Sequence, residues 1–154
     1  MNRTDTMRRC TLCVFLILSY IIACSVNFMA AMKFPDGELQ TSHAIASLLF
    51  WLSLLAYATY GRSHFGLFIK IGMLSGLLIF PIASLQYIIT DFTVLDIAFS
   101  VQYPLFFTFV IPLFGLNVHT ALDYGTYALV SSSLYFVAFV AYRLGPRFRI
   151  SQKN

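Results

Sequence analysis

Long apolar runs are the feature of this sequence that most constrains its fold. Five of them follow one another along the 154 residues, and short stretches rich in charged and turn-forming residues separate them. A helix of about 20 residues, rising 1.5 Å per residue, crosses the roughly 30 Å hydrocarbon core of a bilayer. Backbone groups in lipid must satisfy their own hydrogen bonds, so we expect each run to be helical. The approximate bounds are 10–32, 42–60, 67–90, 96–116 and 121–142.

The overall composition supports this prediction. The chain is 59% hydrophobic and 10% charged, whereas a soluble domain is about 45–50% apolar and about 25% charged. So few charged residues cannot cover the surface of a soluble domain, and so much apolar content excludes a disordered chain. We therefore predict one transmembrane domain over residues 1–154, an all-α bundle of about five spanning helices joined by short loops.

The positive charge of the chain does not indicate a nucleic-acid partner. Its formal net charge is +4, but the basic residues flank apolar runs, as they do in membrane proteins. The expected partner is the lipid bilayer of the cell membrane, and another membrane protein or a second copy of this chain is a further candidate. No nucleic acid is expected.

The distribution of basic residues leaves the orientation open. We call the side on which the first helix begins side a and the opposite side b. With five spans the Lys and Arg residues divide equally, so their totals do not decide the orientation through the positive-inside rule. Side a would hold Arg3, Arg8, Arg9, Arg62 and Lys70, and side b would hold Lys33, Arg143, Arg147, Arg149 and Lys153.

Three explanations of this equal division remain. The first helix usually dominates, which would place the N-terminus in the cytoplasm, and we prefer this explanation. Alternatively, the run 96–116, which contains Pro104 and Pro112, is re-entrant and does not span. The third explanation is insertion in both orientations.

The start of the chain allows a second interpretation. Arg8 and Arg9 precede an apolar stretch that reaches Cys24, an arrangement that resembles a signal peptide ending at a lipidated cysteine. Cleavage there would remove residues 1–23. The apolar run continues to Met32, however, as a spanning helix would, and we favour the uncleaved form.

Catalytic and metal-binding patterns are scarce. Cys10 and Cys13 have the spacing of a thiol–disulfide pair, which makes them a possible redox site, although cysteines in an apolar helix are more often small packing residues. The three histidines lack the spacing of metal ligands, so no metal and no cofactor is expected. The run Ser131-Ser132-Ser133 lacks a nucleophile elbow. We expect no catalytic residues.

Uncharged polar residues gather toward side b. An amide in lipid costs free energy unless it is hydrogen-bonded, so these side chains should face inward and contact each other, a ligand or water. Several acidic residues, Asp36, Glu38, Asp91 and Asp96, border the same level. The candidate ligand-binding residues are Asn27, His43, Gln86, Tyr87, Gln102 and Tyr103.

A small-residue motif in the third run indicates close helix packing. Gly72 and Gly76 are four residues apart and therefore share a helix face, where another backbone can approach closely. The neighbour is either another helix of this chain or a second copy.

These features leave three functional hypotheses. The first is a non-enzymatic accessory or regulatory subunit that acts through helix–helix contacts in the membrane. The second is a small-ligand binding or transport component with a polar pocket toward one membrane face. The third is a membrane thiol oxidoreductase that uses Cys10 and Cys13.

Overall fold

The computed structural model describes residues 3–60, 65–88 and 100–151, and in them the predicted all-α bundle of about five helices is confirmed. Four of the helices are long and apolar enough to cross a membrane, as in a multi-pass membrane protein. A shorter, irregular helical segment, α4, covers residues 102–119. The long helices are α1 (Arg3–Met32), α2 (Thr41–Thr59), α3 (Phe65–Ile88) and α5 (Tyr124–Ser151).

Contacts between the long helices fix their directions. The hydroxyls of Ser19 on α1 and Ser53 on α2 are 2.6 Å apart, and Asn27 further along α1 bonds to Ser47 earlier in α2, so these helices are antiparallel. Ser132 of α5 donates to the carbonyl oxygen of Met73 on α3 at 2.6 Å. Further along, Gly125 of α5 meets Ala83 of α3, so these two helices are also antiparallel.

The last helix runs parallel to α2. Trp51 of α2 donates to the carbonyl oxygen of Leu134 on α5 at 3.4 Å, and Thr59 at the end of α2 meets Gly145. Because α2 ends on side a, α5 runs toward side a as well. The connection from α3 to α5 therefore leaves and returns on side b, and α1 begins on the side where α5 ends.

α4 consequently does not cross the bundle. Its first residue, Gln102, hydrogen-bonds to Gln86 near the side b end of α3. Gly115, near its other end, contacts the backbone of His43 at the side b start of α2. This arrangement agrees with the re-entrant alternative for the run 96–116, whose residues 96–99 lie outside the described part.

Proline and side-chain hydroxyls explain the irregular backbone of α4. It consists of an α-helical turn (Gln102–Leu105), a π-helical segment (Phe106–Val110), a second α-helical turn (Ile111–Phe114) and a 3₁₀ segment (Gly115–His119). Pro112 has no N–H, so it cannot bond to the carbonyl of Thr108 four residues earlier. That carbonyl instead accepts a hydrogen bond from the Tyr20 hydroxyl at 3.1 Å.

Two other carbonyls of α4 are satisfied by α5. Tyr135 donates to the carbonyl of Phe109 at 3.1 Å, and Tyr127 donates to the carbonyl of Leu113. The protein thus supplies the partners that irregular backbone needs at membrane depth. The middle of α4 is also the most continuously buried stretch in the described part, with Val110 and Phe114 fully buried.

α4 departs most from the predicted elements. α1 begins at Arg3 instead of near residue 10, and the last helix begins slightly late and continues to Ser151, past the predicted end at residue 142. α5 starts at Tyr124 instead of near residue 121. Asp123 accepts a hydrogen bond from the backbone N–H of Thr126 at 3.0 Å and so caps the helix. Ala121 has a φ of 46°, in the left-handed region, which helical residues do not adopt.

The observed topology also changes the charge balance. Arg143, Arg147 and Arg149 lie toward the end of α5 and belong to side a, not to side b as in the five-span count. Seven of the eight Lys and Arg residues in the described ranges are therefore on side a, and Lys33 is on side b. Arg62 and Lys153 lie outside the described residues.

Candidate functional site

Two side-chain amides meet where α3, α4 and α5 converge on side b. The Nε2 of Gln102 donates to the Oε1 of Gln86 at 2.8 Å. The hydroxyl of Tyr124, the first residue of α5, lies 3.4 Å from the same oxygen and donates to it. Gln102 is fully buried and Gln86 is half-buried. We call Gln86 and Gln102 the amide pair; the sequence predicts both as site residues.

A cavity of about 380 Å³ lies against the amide pair. Ligand pockets commonly measure about 300–1,000 Å³ and combine an apolar lining with a few polar groups. Tyr103 and Tyr124 add two phenol rings to the amides. We call this cavity the side b pocket, and the rest of its lining is apolar: Ala31, Met32, Phe34, Ala83, Phe106 and Phe107.

One acceptor beside this pocket is unsatisfied. The Oε1 of Gln102 is buried and has no hydrogen-bond partner within the described part of the chain. Leaving such an acceptor unpaired costs about 1–3 kcal/mol. None of the described residues that line the pocket carries a formal charge at neutral pH. The pocket is therefore suited to a neutral molecule that brings its own N–H or O–H donor.

A carboxylate lies beside the polar lining without entering the pocket. Asp123 immediately precedes Tyr124 and is exposed. Hydrogen bonds from the side chain and the backbone of Thr126 lower the pKa of the Asp123 carboxyl below its ordinary value. Asp123 therefore stays ionised at neutral pH at the start of α5, where negative charge is favoured by the helix dipole.

Asn27 and His43 belong to a second cluster and not to the pocket lining. Asn27 is fully buried, and its Nδ2 donates to the Ser47 hydroxyl at 2.8 Å. The backbone N–H of Gly115 donates to the same hydroxyl at 3.1 Å. We call Asn27, Ser47 and Gly115 the anchor cluster, because it attaches α4 to α1 and α2.

His43 has a local role in this structure. Its Nδ1 accepts a hydrogen bond from the backbone N–H of Gln40 at 3.0 Å, which caps α2. Its backbone carbonyl packs so closely on Gly115 that a Cβ there would overlap with it. The predicted polar set thus separates into a pocket lining and a helix anchor. The side chain of Tyr87 lies outside the described part.

The predicted packing glycines face α5 of the same chain. Gly72 lies against the ring of Tyr135, and Gly76 lies against the backbone carbonyl of Ala128 and the side chain of Ser132. The close approach predicted for this motif is therefore made within the chain. Both glycines are buried.

The cysteines and histidines form no further site in the described part. Cys10 is exposed, Cys13 is half-buried, and both are free thiols one helical turn apart on α1. Within the described ranges no three His, Cys, Asp or Glu side chains come together as metal ligands. The redox role of Cys10 and Cys13 remains a prediction from their spacing.

Sequence reasoning missed the tyrosines that hold α4. Tyr20, Tyr127 and Tyr135 lie within apolar runs, yet each donates to a carbonyl of α4. A hydroxyl in an apolar run needs a partner when it is buried, and this was the available signal. The apolar side of the pocket carries no such signal, because Phe34 and Phe106 resemble any other apolar residues in these runs.

Comparisons of the chain with family models, with curated proteins and with solved structures found no match.

Proposed function

We propose that this chain is a non-enzymatic membrane protein that binds a small uncharged ligand in the side b pocket. The observation that carries this proposal is the unpartnered Oε1 of Gln102, buried beside a cavity of about 380 Å³. A buried polar group without a partner is rare enough in folded proteins to require an explanation. A ligand donor that completes the amide pair provides one.

The lining defines the chemistry of the ligand. Phe34, Phe106 and Phe107 favour a flat apolar body, because aromatic rings pack well edge to face. The described lining residues are all uncharged, so an ion would have to be desolvated without a counter-charge from them, which disfavours an ionic ligand. The best candidate is therefore a small neutral aromatic with one N–H or O–H group.

We also propose that side a is cytoplasmic. Seven of the eight Lys and Arg residues in the described ranges lie on side a, and cytoplasmic segments of membrane proteins carry the excess of basic residues. Both the beginning of α1 and the end of α5 would then be in the cytoplasm. The side b pocket would face the opposite compartment, and Cys10 and Cys13 would lie at a reducing face, where a disulfide is disfavoured.

Reporter fusions test this orientation. A reporter that is active only in the cytoplasm should be active at either terminus of the full chain, and one active only outside should be silent at both. Opposite locations for the two termini would contradict both the orientation and the four-span topology.

The ligand proposal is tested with a pair of matched probes. Indole is a small neutral aromatic with an N–H, and 1-methylindole is nearly the same shape without it. Indole should raise the thermal unfolding temperature of the purified chain more than 1-methylindole does. Replacing Gln86 and Gln102 with Leu should remove this difference, because the amides that accept the N–H are gone.

A matched control guards this experiment against general destabilisation. Ser133 is exposed and bonds to its own helix through the carbonyl of Leu129. The Ser133→Ala variant should respond to both probes as the unmodified chain does. Equal responses to indole and 1-methylindole in the unmodified chain would contradict the assigned role of Gln102.

A second candidate function, that of an accessory subunit acting through helix contacts, draws on α1. This helix is the least buried of the four long apolar helices. Large apolar side chains such as Phe15, Leu18 and Ile22 point away from the rest of the bundle. Purification in mild detergent at native expression should then recover a second membrane protein with the chain, and a lone monomer would contradict this candidate.

A further inference from the structure

An apolar groove opens between α1 and α3 in the half of the bundle near side a. It encloses about 450 Å³. Leu16 and Tyr20 of α1, Phe50 of α2, and Phe65 and Phe68 of α3 line it, together with Cys13. We call it the side a groove.

The groove exists because α4 fills only one half of the bundle. α1 packs mainly on α2, while α3 packs mainly on α5. Near side b, α4 occupies the space between these two helix pairs. It reaches no further than the level at which Tyr20 bonds to Thr108 and the rings of Phe68 and Phe109 lie 5.2 Å apart. Beyond that level the space between α1 and α3 is left as the groove.

A basic residue of α1 lies one helical turn beyond the groove lining, toward side a. Arg9 lies one helical turn before Cys13 and two turns before Leu16, so the three residues share one face of α1. The Nε of Arg9 is buried and has no hydrogen-bond partner in the part of the chain that is described. A guanidinium has five N–H donors and no acceptor, so it calls for an anionic or polar acceptor.

The protein itself supplies few anions near Arg9. In the described ranges Asp5 is the one acidic residue toward side a, and its side chain is not described, whereas Asp36, Glu38 and Asp123 lie toward side b. Side a also holds most of the Lys and Arg residues. Because the Nε of Arg9 is enclosed by the protein, an acceptor from outside reaches the guanidinium through its two terminal nitrogens, at a level where phospholipid phosphates lie.

We propose that one anionic phospholipid of the side a leaflet occupies this site. Its acyl chain fills the apolar groove against Leu16 and Phe68, and its phosphate accepts hydrogen bonds from the two terminal nitrogens of Arg9. Arg suits this task because its planar fork binds phosphate oxygens in pairs. The anionic character follows from the surplus of basic residues on side a, which attracts acidic lipids. This inference does not depend on the proposed ligand of the side b pocket.

Lipid retention on the purified full chain tests the site. Native mass spectrometry after exchange into equal amounts of phosphatidylglycerol and phosphatidylcholine with identical acyl chains should show one retained phosphatidylglycerol. Arg9→Gln should weaken this retention about tenfold, which corresponds to the loss of one charge-assisted hydrogen bond. Arg9→Lys should restore part of the retention, because Lys carries the positive charge but lacks the planar guanidinium group.

The neighbouring Arg8 provides the matched control. It is exposed and carries the same charge at nearly the same depth. Arg8→Gln should weaken retention much less than Arg9→Gln. Equal losses in the two variants would show a diffuse electrostatic attraction and overturn the proposed site.

A second variant tests the groove independently of the charge. Leu16→Trp should fill the apolar space and reduce the retained lipid severalfold, whatever the headgroup. Inorganic phosphate added at millimolar concentration should not displace the lipid, because it lacks the acyl chain. Displacement by phosphate, or undiminished retention in Leu16→Trp, would overturn the proposal of a lipid in the groove. Comparing thermal unfolding of each variant without added lipid identifies any that fails to fold.

Discussion

The two halves of the bundle solve the same packing problem in different ways. Toward side b, α4 fills the space between the helix pairs. Its irregular backbone accepts hydrogen bonds from Asn27 and Tyr127, and the N–H of Gly115 donates to Ser47. Toward side a nothing comparable in the described part fills the space, and an apolar groove of about 450 Å³ remains. Polar contacts are thus concentrated where an irregular segment lies inside the bundle, because lipid offers its backbone no other partners.

This comparison predicts that substitutions near side b cost more stability than matched substitutions near side a. Backbone and amide groups near side b have no substitute partners, whereas side chains near side a can shift into the groove. Four experiments are expected to show effects of decreasing size, and the first two compare the two halves directly.

Gly115→Ala should have the largest effect. A Cβ at this position would overlap with the backbone carbonyl of His43 and crowd the Asn27 side chain, and a carbonyl at a helix start cannot move aside. We expect a loss of about 3 kcal/mol or more in the free energy of unfolding, measured by reversible denaturation in detergent.

Gly66→Ala is the control for that substitution on side a. The nearest atoms to its Cβ would belong to the ring of Tyr142, at 2.8 Å, and a ring can rotate away. The loss should be below that of Gly115→Ala by at least about 1 kcal/mol, within the usual range for added methyl groups. Equal losses would remove the distinction between the two halves.

Ser47→Ala should have the next largest effect. The Ser47 hydroxyl accepts hydrogen bonds from Asn27 and from the backbone of Gly115, so its removal leaves two buried donors to be satisfied elsewhere. The expected loss is about 2–3 kcal/mol. Ser53→Ala is the side a counterpart. It should cost less than about 1 kcal/mol, because Ser19, which loses its contact with Ser53, still donates to the carbonyl of Leu16.

The amide pair should show a non-additive effect. Gln102→Leu leaves the Gln86 oxygen with only the long bond from Tyr124, so we expect a loss of about 1–2 kcal/mol. Adding Gln86→Leu removes the remaining unpaired amide and should recover part of that loss. A double-mutant cycle measures the coupling, and strictly additive losses would argue against a direct contact between the amides.

The pH dependence of Asp123 should be the smallest effect. Because folding lowers the pKa of this carboxyl, its ionised form stabilises the folded state. That contribution is fully present above the unfolded pKa of about 3.9 and is lost as the pH falls through the folded value. Asp123→Asn keeps a capping side chain without the charge. If the variant unfolds at a lower temperature than the unmodified chain at pH 7, this difference between the two should shrink in acid. A difference that is unchanged at low pH would contradict the charge contribution.

Much of the fold followed from local sequence. The runs 10–32, 42–60 and 67–90 correspond to α1, α2 and α3, because length and hydropathy alone indicate which segments lipid can stabilise. The run 96–116 was equally apolar, yet its described part is the inserted helix α4. Apolar composition suits a segment buried in protein as well as one that crosses a bilayer, so composition cannot separate the two.

The candidate site was predictable only in part. Amides in apolar runs need partners, and this general rule placed Gln86 and Gln102 together. The same rule grouped Asn27 and His43 with them, although these residues anchor α4 and cap α2. Polarity reveals that a partner exists, but the choice of partner depends on how the helices pack.

The sequence by itself determined that the chain folds into apolar helices with lipid as the surrounding solvent, because both properties depend on neighbouring residues and on composition. Only the tertiary structure decided the direction of α5, through contacts such as Trp51 with Leu134. That direction brings Arg143 to side a and turns an equal division of basic residues into an unequal one. An apolar run carries no direction of its own, and contacts between residues far apart in the chain provide it.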